Sequence, residues 1–153
     1  MASEPLQTAR QLMQVNMLLM RSIGARMRQG QERLEPAHVG ILMRLGSGEP
    51  CSLTELARYQ SVRLPTMSKS VALLVQRGWV ERWVPETDRR QTMLRLTSEG
   101  RKVLTRMKRQ VDRHVASVLQ PLSASERGQI DVALRVLGKR LAEVQAVVDT
   151  PEG

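Results

Sequence analysis

Two clusters in this sequence carry groups suited to binding phosphate oxygens and the edges of bases. The first is Arg63, Pro65, Thr66, Ser68, Lys69 and Ser70, within RLPTMSKS. Proline there suits the first turn of a helix. Hydroxyls and a lysine at the N-terminal end of a helix can reach base edges and phosphates in a DNA major groove. The helix N-terminus itself favours an anionic oxygen. The second cluster is Arg89 and Arg90, in the loop PETDRRQ between WVERWV and TMLRLT. An arginine at the tip of a hairpin can enter a minor groove, where the negative potential is strong if the groove is narrow. Asp88, beside them, would repel phosphate if it lay free; it is expected to pair with an arginine and fix the loop's shape. Each cluster alone also reads as ordinary solvated surface. A helix with this N-terminus followed directly by a basic-tipped hairpin is far more specific than either part.

Catalytic chemistry finds no support. Cys51, His38 and His114 lie on separate segments. The sequence shows no nucleophile–base pair, no cluster of metal ligands and no glycine-rich phosphate loop. The expectation is a protein that is not an enzyme and uses no metal or cofactor. A single cysteine rules out an intramolecular disulfide and a four-ligand zinc site of the finger type. Cys51 stands just before a helix start, a place that lowers a thiol pKa. A redox-responsive role for it is therefore one alternative, and an inert small residue in a loop is the other.

Those clusters must be positioned by the rest of the chain. The formal charge is +9, from 24 Lys+Arg against 15 Asp+Glu. The excess is +2, +3 and +4 over residues 1–50, 51–100 and 101–153, so it is not a basic tail on a neutral body. It argues for a polyanionic partner. With 41% apolar residues the chain can bury a core. Polar residues interrupt every apolar segment, and MASEPLQTARQ lacks the basic start and apolar run of a signal peptide. The expectation is a cytoplasmic protein without a membrane partner.

In order, residues 6–28 read as a helix with an apolar band wide enough to be covered on more than one side, by its own domain or by a second subunit. Gly30 stops it. Pro36 opens a helix that offers Val39, Leu42, Met43 and Leu45 to a core. Ser52 to Glu55 is a capping box. It opens a short helix with Leu53, Leu56 and Ala57 on one side. After a break at 61–64 comes the helix of the first cluster, with Met67, Val71, Leu74 and Val75 on its apolar face and Gly78 past its end. Two short helices so joined are a helix-turn-helix, although the connection lacks a glycine. The hairpin follows. A long helix then runs to about Leu119, with Leu104, Met107, Val111, Val115 and Val118 in register. A second capping box, Ser123 to Glu126, starts a final helix with Ile130, Leu134, Leu137, Leu141, Val144 and Val148 as a packing seam. DTPEG is expected to fray.

The segment LVQRGWVERWVPETDRRQTMLRLTSEG resembles the signature of the MarR (multiple antibiotic resistance regulator) family. Gly78, Val80 and Arg82 match its first element, Asp88 and Arg90 its wing, and Leu96, Thr97 and Gly100 its close. The resemblance implies a mainly α fold, a winged helix-turn-helix with N- and C-terminal dimerisation helices and a small β-hairpin wing. It implies one such domain over 1–153, with dimerisation helices at about 5–30 and 98–148 and a DNA-binding lobe at about 36–97. It further implies a homodimeric repressor of a palindromic operator in double-stranded DNA, with half-sites about one helical turn apart. The helix from Pro65 to Arg77 would lie in the major groove, Arg90 would reach the minor groove, and Asp88 would brace the wing. Relatives often carry two basic residues where this helix has Lys69 and Leu73. The resemblance also implies release by a small phenolic or aromatic inducer. By position Met17, Met20, His38, Met107 and Val111 would line its pocket, although each taken individually reads more readily as core packing. A winged helix used only for protein interaction is the alternative from another class.

Overall fold

The computed structural model describes residues 4–148, in two units that divide between His114 and Val115. The tail 149–153 and the side chain of Val148 lie outside the described residues. In the first unit, α1 (Pro5–Gln29) starts at a proline, as does α2 (Pro36–Leu45). β1 (Cys51–Ser52) leads into α3 (Leu53–Tyr59), and α4 (Leu64–Gln76) follows. β2 (Val80–Trp83) and β3 (Met93–Leu96) are the hairpin strands, and α5 (Ser98–Leu119) leaves them. The second unit holds the end of α5 and α6 (Ala124–Val148). No helix among the described residues is long and apolar enough to cross a membrane.

The core of the first unit forms where the apolar faces of these elements converge. Ile41, Leu42 and Leu45 of α2, Leu56 of α3, and Met67, Val71 and Leu74 of α4 are sealed together with Leu94, Leu96, Val103, Leu104 and Met107. Met43, expected in that core, is 47% exposed, and Ile41 takes its place. The reason is angular. Leu42 and Leu45 fix the buried face of α2; Ile41, one turn before Leu45, lies on it, and Met43 does not. Val118 is likewise exposed, so the stripe on α5 is covered only through its first half.

The short strand β1 was not legible in advance. It pairs antiparallel with β3, Cys51 opposite Leu94 and Ser52 opposite Met93, to give a sheet of order β1-β3-β2. Two residues are too few for an alternating pattern to show. Ser52 then caps α3: its hydroxyl accepts the Glu55 N–H at 3.1 Å, and Glu55 returns a carboxylate to the Ser52 N–H at 2.6 Å. The connection from α3 to α4 manages without glycine because Ser61 itself takes the left-handed conformation, at φ 53°. Ser123 and Glu126 form the second box at the start of α6.

Outside this core the apolar residues are open. On α1, Leu6, Met13, Val15, Met17, Leu18 and Met20 are exposed. On α6, Val132, Leu134, Val136, Leu141 and Val144 are exposed.

Candidate nucleic-acid interface

The start of α4 is the first part of the site. Met67, Val71 and Leu74 pin one side of the helix into the core. The opposite side therefore faces out, with Arg63, Pro65, Thr66 and Lys69 exposed and Ser68 and Ser70 half-buried. Arg63 is the N-cap residue, and no side chain caps the helix. The N–H groups of Leu64 and Thr66 in the first turn thus have no intrahelical acceptor, and they point where an outside anion would sit. Leu73, one turn after Lys69, is half-buried and adds no charge.

The far end of α4 sets the angle of the hairpin. Gly78 takes φ 71°, a left-handed turn suited to glycine. Its N–H bonds the Val75 carbonyl at 2.9 Å, and the Trp79 N–H bonds the Leu74 carbonyl at 3.0 Å. This pair of bonds is a Schellman motif, which ends the helix sharply. Thr97 then closes the base of the hairpin. Its hydroxyl donates to the Gly78 carbonyl at 2.6 Å and accepts the Gly100 N–H at 3.0 Å. The Thr97 N–H bonds the Trp79 carbonyl at 3.0 Å. Gly100 is packed so close to that carbonyl that a methyl group would overlap it. The glycines and threonine of the sequence signature are thus the joint between α4, the wing and α5.

In the wing, Val80 pairs with Leu96 and Trp83 with Met93. The loop between the strands carries Arg89 and Arg90, both exposed and without an ion pair among the described residues. Asp88 holds the loop, but not by an arginine side chain as expected. One carboxylate oxygen accepts the Arg90 backbone N–H at 3.0 Å, and the other accepts the Gln91 amide at 3.0 Å. An aspartate in a turn reaches its own backbone two residues on more readily than a long, mobile guanidinium. The result leaves both arginine head groups available.

One stiffening element was missed. The Arg95 guanidinium lies over the Trp83 ring, 4.9 Å from its centre, and binds Glu81 at 2.5 Å. Glu81 and Arg95 are opposite one another in the sheet. The signal was present as two adjacent strands with complementary charge, but only the register shows that they meet.

The residues expected around an inducer occupy different surroundings. Met107 is sealed in the core, and Val111 packs against it. Met17, at 68% exposure, and Met20 lie on the open part of α1. His38 is half-buried at the start of α2, where its Nδ1 accepts the Glu35 N–H at 3.4 Å. Burial, with the nearby Arg77 charge, lowers its pKa from the ordinary value. The redox alternative for Cys51 meets a physical obstacle: the residue lies in β1 and is buried, and burial raises its thiol pKa. A thiol of that kind resists becoming the reactive thiolate. Among the described residues no group of three or more His, Cys, Asp or Glu could hold a metal ion.

Comparison with known proteins adds an independent line. The model of the MarR family matches residues 34–91, from the start of the core to just past the wing arginines. Wild-type MarR from E. coli, in its apo form, is 22% identical, with 90% of this chain and 98% of that chain covered and a TM-score of 0.75. A probable transcriptional regulator from Pseudomonas aeruginosa is 26% identical, over 80% of this chain and 93% of that chain, with a TM-score of 0.60. A mutant of S. aureus MepR bound to an oligodeoxyribonucleotide is 17% identical, over 88% and 97% respectively, with a TM-score of 0.65.

Proposed function

We propose that this chain is a member of the MarR family, whose model matches residues 34–91, and that it is a homodimeric, sequence-specific DNA-binding regulator of transcription that represses from a palindromic operator. The observation that carries the reading is the state of the cations. Lys69 stands beside an uncapped helix start, and Arg89 and Arg90 stand on a braced loop with their guanidiniums unspent. Helix dipole, lysine and hydroxyls suit the major groove, and the wing arginines suit the minor groove. The bracing lowers the entropy lost on binding, because the loop is ordered before DNA arrives. The S. aureus relative, whose solved form holds an oligodeoxyribonucleotide, is consistent with this use of the fold.

Two copies follow from a single copy's weakness as a reader. With Leu73 after Lys69, α4 has little charge for direct readout. A second lobe, joined through the exposed apolar residues of α1 and α6, doubles the contacts and supplies the cover those residues lack. The test is Arg90→Ala, measured by fluorescence anisotropy on an operator selected from random DNA, at fixed salt. The expected loss is about 1–3 kcal/mol of binding free energy, with the fold intact. Unchanged affinity would remove the wing from the interface. Binding with neither sequence preference nor steep salt dependence would favour a winged helix used for protein interaction instead.

A further inference from the structure

A cleft of about 710 Å³ in the first unit is lined by Gln31, Glu32, Arg33, Arg77, Trp79 and Arg106. None of these residues takes part in the DNA reading above. The cleft is built, not incidental. The Arg77 guanidinium lies over the Trp79 ring, 4.9 Å from its centre, and donates one bond to the Glu32 carbonyl at 2.8 Å. The stack holds the guanidinium flat while leaving most of its in-plane donors unused. Arg106 is committed elsewhere, to the Glu32 carboxylate at 3.1 Å and to Glu99 at 3.5 Å. Arg33 is the opposite case. Its backbone takes the left-handed region at φ 47°, uncommon for a residue other than glycine, and its side chain makes no hydrogen bond or ion pair among the described residues.

Two guanidiniums with donors to spare therefore face one cleft, one of them fixed by an aromatic ring and a backbone carbonyl. Glu32, the one carboxylate in the lining, is already neutralised by Arg106. A cationic ligand would meet like charge, and a neutral one would leave the forks unpaired. A carboxylate or phosphate group matches the fork geometry and gains charge-assisted hydrogen bonds. We propose that this cleft is a binding site for a small organic anion, held through a carboxylate or phosphate by Arg33 and Arg77. Arg77 is the C-cap of α4, so the occupant joins the α1–α2 turn to the end of the helix that carries Lys69.

The site can be tested on the full chain without DNA, so the outcome does not depend on operator binding. In a Trp83→Phe background, Trp79 is the remaining tryptophan and reports on the cleft. Succinate and glycerol phosphate are titrated at constant ionic strength, with succinamide as the neutral control. The expected result is a saturable change in Trp79 emission with one or both anions and none with succinamide; the stronger anion identifies the preferred group. Arg33→Gly removes the guanidinium while keeping the backbone conformation. It should weaken binding about tenfold or more with an unchanged melting curve, and Arg77→Gln should weaken it further. A response that sodium chloride reproduces, or Arg33→Gly binding as tightly as the parent, would overturn the proposal.

Discussion

Leu74 on α4 and Met17 on α1 sit on helices with comparable apolar spacing, and their fates are opposite. Leu74 is fully sealed and Met17 is 68% exposed. The same contrast holds between the whole winged-helix lobe, which closes its own core, and the exposed apolar residues of α1 and α6, which no other described residue covers. Periodicity states which residues share a face. It does not state whether that face is covered by the same chain or by another. The lobe is self-sufficient because helices, β1 and the hairpin surround one cluster. The outer helices present their apolar residues to whatever meets them.

The sharpest break in this contrast comes from truncating each side. Leu74→Ala should destabilise the lobe by about 2–5 kcal/mol, read as a shift in the chemical denaturation midpoint, because the removed atoms leave a cavity. A loss below about 1 kcal/mol would mean that the core is less complete than its burial indicates. Met17→Glu should instead leave the fold of the lobe nearly unchanged and weaken self-association at least tenfold, about 1.4 kcal/mol, in sedimentation equilibrium. Self-association that survives this charge intact would place the subunit interface away from that stretch of α1. The smallest effect is at Ser52. Its backbone and side-chain hydrogen bonds hold the Glu55 carboxyl below the usual range. A depressed folded pKa gives stability that is present above the unfolded value of 4.5 and lost as pH falls through the lower folded one. Ser52→Ala should therefore cost about 1 kcal/mol at neutral pH. The gap between the two proteins should narrow on acidification without closing, because the side-chain share of the Glu55 stabilisation titrates away while the bond from the Glu55 N–H to the hydroxyl does not, as thermal melts across that window would show. A gap that stayed constant to low pH would assign the cost to the neutral cap bond from the Glu55 N–H and remove the carboxylate from it.

How much of this was visible beforehand depended on the range of the interaction. Both capping boxes were legible because donor and acceptor stand three residues apart. The order of helices, the hairpin and the placing of Lys69, Arg89 and Arg90 were legible for the same reason. Ile41 and Met43 were confused because several rotations of a ten-residue helix satisfy the same apolar pattern. β1 has no pattern of its own and exists only because β3 is beside it. The Arg95–Trp83 and Arg77–Trp79 stacks arise from register and from turn geometry, which no spacing rule announces. The partner of Asp88 was not legible, since a nearby backbone N–H outcompetes a flexible arginine side chain for its carboxylate.

The bonds of Thr97 to Gly78 and Gly100, with the Trp79 carbonyl beneath them, lock the hairpin at its root. What orients α4 against α5 is settled at that root, by residues on either side of the loop between Trp83 and Met93 and not by the loop itself. That loop is consequently an interchangeable fitting. Its length and its charges can be rewritten, by evolution or by an engineer, without re-aiming the helix beside it, so the two halves of the reader can change their preferences separately.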